Sequence, residues 1–162
     1  MKIHHSPIPS RRRPRTSLHA ATLLALLAAL VLAGCGGGMT LEIEGVYLDN
    51  YWGTGFGSRH TISAVLWRQD AEDASVNKFD ILKFDNGRDF LVAQNDAGNA
   101  YFPGLFSRFD WTVSAGDLYY CQVAYNAADA ATAEANMSAD RSDPANSGCS
   151  GFSWTRLDPV TP

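Results

Sequence analysis

Two glutamates near residue 40 have the spacing of a carboxylate pair. Glu42 and Glu44 lie two positions apart in LEIEGVYLD, so a β-strand would place them on one face, about 6.6 Å apart. Inverting glycosidases use two carboxylates at about this separation for general acid–base catalysis. Alternation with Leu41 and Ile43, however, assigns both glutamates to the solvent face of such a strand. We therefore expect no catalytic residue here, and a carboxylate hydrolase is the less favoured function.

Histidine chemistry depends on one residue. His4, His5 and His19 lie in an N-terminal segment that we expect to be removed, which leaves His60 in GFGSRH. A Ser-His-Asp triad would need His60, with Ser58 nearby in sequence, but this stretch lacks the G-x-S-x-G elbow. We expect His60 at the surface or at the rim of the core. A single histidine also makes a catalytic zinc site improbable.

Oxygen-bearing side chains cluster near the C-terminus in ADRSDPANSG. Asp140, Asp143 and Asn146 offer the carboxylate and amide oxygens that calcium prefers. The chain lacks the D-x-D-x-D-G order of a calcium-binding loop, and turn formation explains such residues equally well. These three residues are the candidate metal ligands, and we expect no cofactor.

Five aromatic residues lie in two glycine-containing segments. NYWGTGFG contains Tyr51, Trp52 and Phe56, and AYFPGLF contains Tyr101 and Phe102. If both segments lie at one end of a barrel, their rings line a mouth suited to a sugar or a small apolar ligand. The interpretation that we favour is a plug, in which the rings close the barrel end and simply pack, because small barrels are usually filled by their own side chains. Solvent exposure of Trp52 and Phe102 distinguishes the two interpretations.

The elements that must position these residues are mostly β-strands. Apolar and polar residues alternate in seven segments joined by short turns, which indicates an antiparallel up-and-down meander. Asn86-Gly87 is a strong hairpin signal. In SRFDWTVS, the alternation places Phe109, Trp111 and Val113 inward. The fold class is thus all-β, a small barrel or an open sandwich. The seven segments are LEIEGVYLD, HTISAVLW, NKFDILKF, RDFLVAQN, SRFDWTVS, DLYYCQVAY and FSWTRL.

One segment differs from the strand pattern. NAADAATAEANM is rich in alanine and predicts a short helix near residues 127–137, with Asn126 as its N-cap. The polar loop SADRSDPANSGCSG follows it, before the last strand.

The first 34 residues have the features of a signal peptide. Lys2 and four arginines precede an apolar stretch at residues 20–33, and no acidic residue occurs there. A helix of that length measures about 21 Å, shorter than the ~30 Å hydrocarbon core of a bilayer. This pattern is typical of a secretory signal rather than a membrane span.

The end of the apolar stretch, Leu32-Ala33-Gly34-Cys35, resembles the lipobox of bacterial lipoprotein precursors. The resemblance implies cleavage before Cys35, lipidation of its thiol and acylation of the new amino end, and two or more chains anchor stably. Residues 35–40 would then form a glycine-rich tether to a single β domain at residues 41–162. No aspartate follows Cys35, which in this family favours the outer membrane. Ordinary cleavage after Ala33 is the alternative.

Removal of the signal changes the charge and the cysteine count. It leaves 8 basic and 17 acidic residues, a net charge of −9. Such a chain repels phosphate backbones, so we expect no nucleic-acid partner. Cys121 and Cys149 remain, and they should form a disulfide in an oxidising envelope.

Two further resemblances concern the β domain. GVYLDNYWG resembles the G-x-W start of lipocalin-like barrels, with Tyr47 in the place of the tryptophan, and this implies that Arg156 packs on Trp52. Residues 103–112 and 118–122 resemble segments of secreted or lipid-modified bacterial proteins, a likeness that implies no particular activity. We therefore expect a lipid-anchored binding or interaction module. Its partner would be an envelope protein or a small ligand, and whether it faces the periplasm or the medium stays open.

Overall fold

The computed structural model describes residues 40–161, so the predicted signal peptide and Cys35 lie outside the described residues. This range contains one helix, α1 (Ala130–Ala135). Within the described residues, no helix is long and apolar enough to cross a membrane. The strands are β1 (Gly45–Asp49), β2 (Ser58–Ile62), β3 (Leu66–Ala71), β4 (Val76–Asp85), β5 (Phe90–Asn95), β6 (Phe106–Ser114), β7 (Asp117–Ala127), β8 (Gly148–Cys149), β9 (Phe152–Ser153) and β10 (Thr155–Pro159).

Eight of these strands close into an antiparallel barrel in the order β1-β10-β7-β6-β5-β4-β3-β2. Strands that follow one another in sequence are neighbours, until β10 returns to pair with both β1 and β7. β8 and β9 form a separate hairpin. The prediction of an all-β barrel is confirmed, and the open sandwich is not formed.

Two segments differ in detail from their predictions. HTISAVLW is not one strand, because a turn separates β2 from β3 and the Ser63 hydroxyl accepts a hydrogen bond from the Leu66 amide at 3.1 Å. This turn adds the eighth barrel strand. The helix begins after Asp129 rather than Asn126, since the Asp129 carboxylate accepts the Thr132 amide at 2.7 Å.

The middle of the barrel is filled with aromatic side chains. Trp67 stacks on Phe109 with ring centroids 4.7 Å apart, and Phe79 meets Phe109 edge-on at 4.9 Å. Trp111 also points inward and is buried, as the alternation in β6 predicted. Val113, predicted to face inward, is 67% exposed, because it lies near the end of the strand beyond the packed interior.

The outer wall of β6 is buried as well, because α1 and the loop after it cover that wall. Asp110 accepts Arg108 Nε at 2.7 Å and Arg141 Nη2 at 2.7 Å. The Arg108 guanidinium also lies 4.2 Å from the Phe90 ring centroid and donates to the Glu134 carbonyl. Asp110 therefore ties the barrel wall to both the helix and the loop.

The predicted disulfide between Cys121 and Cys149 is present, with Cα atoms 5.6 Å apart. It packs with Val123 and Trp154 in a cluster outside the barrel. Gly148 next to it has a φ of 95°, and a Cβ there would lie 2.0 Å from the Asp140 carbonyl oxygen. The bridge fastens the long connection between β7 and β10 to the wall.

Asp110→Asn tests how much the buried ion network contributes. Loss of the carboxylate leaves Arg108 buried without its counter-charge, and we expect a loss of about 3–5 kcal/mol in unfolding free energy. Urea denaturation of the oxidised protein measures it.

Asp70→Asn is the matched control. Arg68 and Asp70 have the same two-residue spacing on β3, but their side chains are 42% and 36% exposed, against 3% and 1% for Arg108 and Asp110. An exposed pair contributes less than about 1 kcal/mol. Equal losses of unfolding free energy in Asp110→Asn and Asp70→Asn would contradict the importance of the buried ion network.

Candidate functional site

The two ends of the barrel have different chemistry. We call the loop end the one formed by the connections at residues 50–57, 72–75 and 96–105. The hairpin end is formed by residues 40–44 and the turns at 63–65, 86–89 and 115–116. The up-and-down strand order assigns each connection to its end. A cavity lies at each end.

The larger of these two cavities lies at the hairpin end and has a volume of about 480 Å³. We call it the apolar cavity, because most of the residues around it are apolar and several belong to the barrel core. The residues that line it are Glu42, Ile43, Tyr47, Trp111, Val113, Gly116, Asp117, Leu118, Leu157, Asp158 and Pro159.

Residues 40–44 form part of the wall of the apolar cavity, and they correct a prediction. They do not extend β1, because the Glu44 amide donates to the Leu41 carbonyl at 3.1 Å in a tight turn. Glu44 also accepts the Leu41 amide at 3.1 Å, whereas Glu42 accepts the Trp111 indole N–H at 2.5 Å. The two glutamates are therefore not a pair on one strand face.

Carboxylates surround the apolar cavity. Glu42, Asp117 and Asp158 line it, and no basic side chain does so among the residues that the structure describes. Arg156 partly neutralises Asp158, with Nε 3.0 Å from Oδ1, and lies 3.9 Å from Asp117. Burial and the negative charge of Glu42 raise the pKa of Asp89, which lies close to Glu42. The cavity is therefore suited to a positively charged group.

Comparison with protein-family models, with curated proteins and with solved structures finds no match for this chain. The closed eight-stranded meander has the strand count of lipocalin barrels. Within residues 40–161, no cation–π pair joins Arg156 to Trp52, the two residues that the resemblance would bring together. The function must therefore follow from the geometry of this chain.

His60 lies inside the barrel and is 0% exposed, so its prediction as a surface or rim residue is wrong. The Trp67 indole donates to its Nδ1 at 3.0 Å, which leaves Nε2 to donate towards Asp49 at 3.4 Å. Asp49 also accepts the backbone amides of Tyr51 and Ser58. This arrangement fixes the start of the 50–57 loop to the core, and no solvent-facing nucleophile takes part in it.

The five predicted ligand-binding aromatics all lie at the loop end and are 40–86% exposed. They do not plug the barrel, because their rings lie outside its packed interior. Tyr101 and Phe102 line the cavity of about 230 Å³ at this end. Tyr51, Trp52 and Phe56 lie on the 50–57 loop, which joins β1 and β2 across the barrel from β5 and β6, and they do not line that cavity.

The candidate metal ligands take part in turns. The Asp140 carboxylate accepts the Ser142 amide at 2.9 Å, and the Asp143 carboxylate accepts the Asn146 side-chain amide at 2.9 Å. Within residues 40–161, no group of three or more His, Cys, Asp or Glu side chains is arranged to hold a metal ion. Turn chemistry explains these residues.

Glu72 is a structural residue that the sequence reading missed. Its carboxylate accepts the backbone amides of Gly53, Gly55 and Gly57 at 2.8–3.0 Å. These hydrogen bonds hold the pKa of Glu72 below its usual value. Gly57 must be glycine, since a Cβ would lie 2.3 Å from the Trp52 backbone. Two features of the sequence could have predicted this carboxylate clamp: the alternate glycines of GTGFG and the acidic residue that follows β3.

Glu72→Gln should loosen the 50–57 loop, because the amide side chain lacks the charge that holds three N–H groups. We expect several-fold faster hydrogen exchange at Gly53, Gly55 and Gly57. In the wild-type protein the clamp should be complete above the usual pKa of Glu72. It should be lost as the pH falls through the lowered pKa of the folded state.

Asp73→Asn is the control for the clamp, because the neighbouring Asp73 carboxylate bonds only within its own turn, to the Ser75 amide. This variant should leave exchange at the three glycines unchanged. Equal protection of these amides in Glu72→Gln and in the wild type would refute the clamp.

Proposed function

We propose that this chain is a lipid-anchored envelope protein whose barrel binds one small amphipathic molecule in the apolar cavity. The apolar body of the ligand lies against the walls, and its positively charged group lies at the carboxylates. The observation that carries this proposal is the cavity itself, which combines about 480 Å³ of space, core residues in its wall and three carboxylates. A large apolar pocket with a few converging polar groups is the default binding site of a protein.

The volume of the cavity limits the size of its ligand. Binding pockets for small organic molecules measure about 300–1,000 Å³, and this cavity lies in the lower half of that range. The interior of an eight-stranded barrel is only wide enough for its own side chains or for one small ligand across its width. The stacked rings of Trp67 and Phe109 occupy the middle of the interior, so the ligand stays at the hairpin end.

Electrostatics favour a cation at this site. After removal of the signal the chain carries a net charge of −9, which draws cations and repels anions at long range. Close to the cavity, Glu42 and Asp117 add a local negative potential that a buried ammonium group would partly neutralise. An anionic amphiphile with the same apolar chain as the cationic ligand would have to enter against this potential.

The lipid anchor would hold the apolar cavity close to a membrane. Thr40 is the fifth residue after Cys35, and five residues span at most about 18 Å. Thr40 belongs to the hairpin end, where its carbonyl accepts Asn86 Nδ2 at 2.8 Å. A membrane surface is where amphipathic molecules accumulate. The Cys121–Cys149 disulfide supports an oxidising compartment.

Three probes with the same eight-carbon chain test the ligand class: octylammonium, octanol and octanoate. With the mature Cys35→Ser chain in detergent-free buffer, octylammonium should shift the Trp111 indole N–H resonance at the lowest concentration. One favourable charge contact near the surface corresponds to about fivefold in affinity. Octanoate should bind most weakly, and equal or tighter binding of octanoate would refute the proposed charge preference.

Val113→Trp should block the mouth of the apolar cavity, because Val113 lines it and is 67% exposed. Octylammonium binding should fall at least about tenfold. Val65→Trp is the matched control, since Val65 lies at the same end, is 70% exposed and does not line the cavity. Loss of binding in both variants, or in neither, would place the ligand elsewhere.

Cys35→Ser tests the anchor separately from the ligand. Metabolic labelling with an alkyne-bearing palmitate analogue should label the wild-type protein and not the variant. Cys121→Ser should keep its label, because the disulfide plays no part in lipidation. A labelled Cys35→Ser protein would mean that the tether is not attached at Cys35.

A further inference from the structure

We propose that the loop end carries a second binding site, which takes one neutral sugar ring. The cavity of about 230 Å³ at this end, which we call the amide cavity, is lined by five carboxamide side chains and four aromatic ones. None of its lining residues is charged. The proposal is independent of the apolar cavity and of the lipid anchor.

The carboxamides reach the amide cavity because they alternate with core residues along the strands. Gln69 lies two positions after Trp67 on β3, and Asn77 lies two positions before Phe79 on β4. Side chains two positions apart share one face of a strand, so both carboxamides point into the barrel above the aromatic core. The register pairs Gln69 with Asn77 on neighbouring strands, which places the two groups side by side.

Some of the polar groups that line the amide cavity form hydrogen bonds within the protein, and others do not. Asn95 donates to the carbonyls of Phe102 and Tyr125 at 2.9 and 3.0 Å and accepts the Ser107 hydroxyl at 2.6 Å. Gln122 donates to Ser107 at 3.0 Å.

Among the hydrogen bonds of residues 40–161, none involves the side chain of Gln69 or of Asn77, and none involves Oε1 of Gln122. The open groups therefore include donors and acceptors. This combination matches sugar hydroxyls, which also donate and accept.

Aromatic rings form the rim of the amide cavity. Tyr101, Phe102 and Tyr125 line it and are exposed, and the Phe102 and Tyr125 rings lie 5.2 Å apart. Phe102 has a φ of 52°, a conformation that is costly for a bulky residue, and Asn95 holds its carbonyl. Flat apolar rings beside fixed amides offer a stacking surface for the C–H face of a sugar.

The size and the lack of charge of the amide cavity limit which ligands it can bind. The volume of about 230 Å³ lies below the range of about 300–1,000 Å³ that is typical of pockets for larger organic ligands. The cavity therefore holds one sugar ring, and an oligosaccharide could place only its terminal residue in it. The absence of charged lining residues disfavours acidic or amino sugars, whose charge would be desolvated without a partner.

Saturation-transfer NMR on the mature Cys35→Ser chain in detergent-free buffer tests this site. The probes are D-glucose, D-galactose and N-acetyl-D-glucosamine. At least one of these sugars should receive saturation and bind with a dissociation constant of about 1 mM, the level expected for a few net hydrogen bonds. No saturation transfer to any of the three would overturn the proposal.

Three variants locate the site. Asn77→Leu and Tyr101→Ala should weaken binding about two- to tenfold, the range for the loss of one hydrogen bond or one stacked ring. Trp52→Ala is the control, because Trp52 is an exposed aromatic residue at the same end that does not line the amide cavity. Thermal unfolding of each variant verifies the fold. Equal weakening by Trp52→Ala, or unchanged binding in Asn77→Leu, would overturn the proposal.

Discussion

The buried carboxylate of Asp110 is the contact on which the closed barrel depends. It binds the guanidinium groups of Arg108 on its own strand and of Arg141 on the long connection that leads to β10. Burying Arg108 and Asp110 costs several kcal/mol per ion before their attraction is counted, so the network is a poor source of net stability, whereas Arg141 stays 34% exposed. It specifies position, because only one placement of the connection satisfies both arginines. Together with the disulfide, it directs β10 to the gap between β1 and β7.

Closure by β10 completes the wall of the apolar cavity. The strand supplies Leu157 to the core and Asp158 and Pro159 to the wall of the apolar cavity. If β10 were absent, β1 and β7 would be open edges, and the interior would be accessible along its length. With β10 in place, the interior is accessible only at the two ends. The location of the apolar cavity thus follows from barrel closure rather than from any local motif.

Period-two alternation predicted the strands well but did not predict what covers them. It assigned Phe109 and Trp111 to the interior correctly, and Arg108 and Asp110 to the outer face. That outer face is buried, because Glu134 and Arg141, which follow at least 26 positions after Arg108, cover it. In LEIE the alternation predicted burial correctly, since Leu41 and Ile43 are buried and both glutamates are exposed, but the segment forms a turn rather than a strand. The aromatic loops were visible in the sequence, whereas the apolar cavity was not, because distant segments assemble it.

The chemistry of the two ends differs in a way that stability alone does not explain. At the loop end, Gln69 and Asn77 are half-buried, and their carboxamides take part in no hydrogen bond within residues 40–161. The hairpin end shows the opposite arrangement, with apolar walls beside carboxylates, where burial and the negative charge of Glu42 raise the pKa of Asp89. The ring layer of Trp67 and Phe109 separates these two regions. A ligand at one end would therefore meet groups of different chemistry from a ligand at the other, and the packed layer would let each site be occupied without rearranging the other.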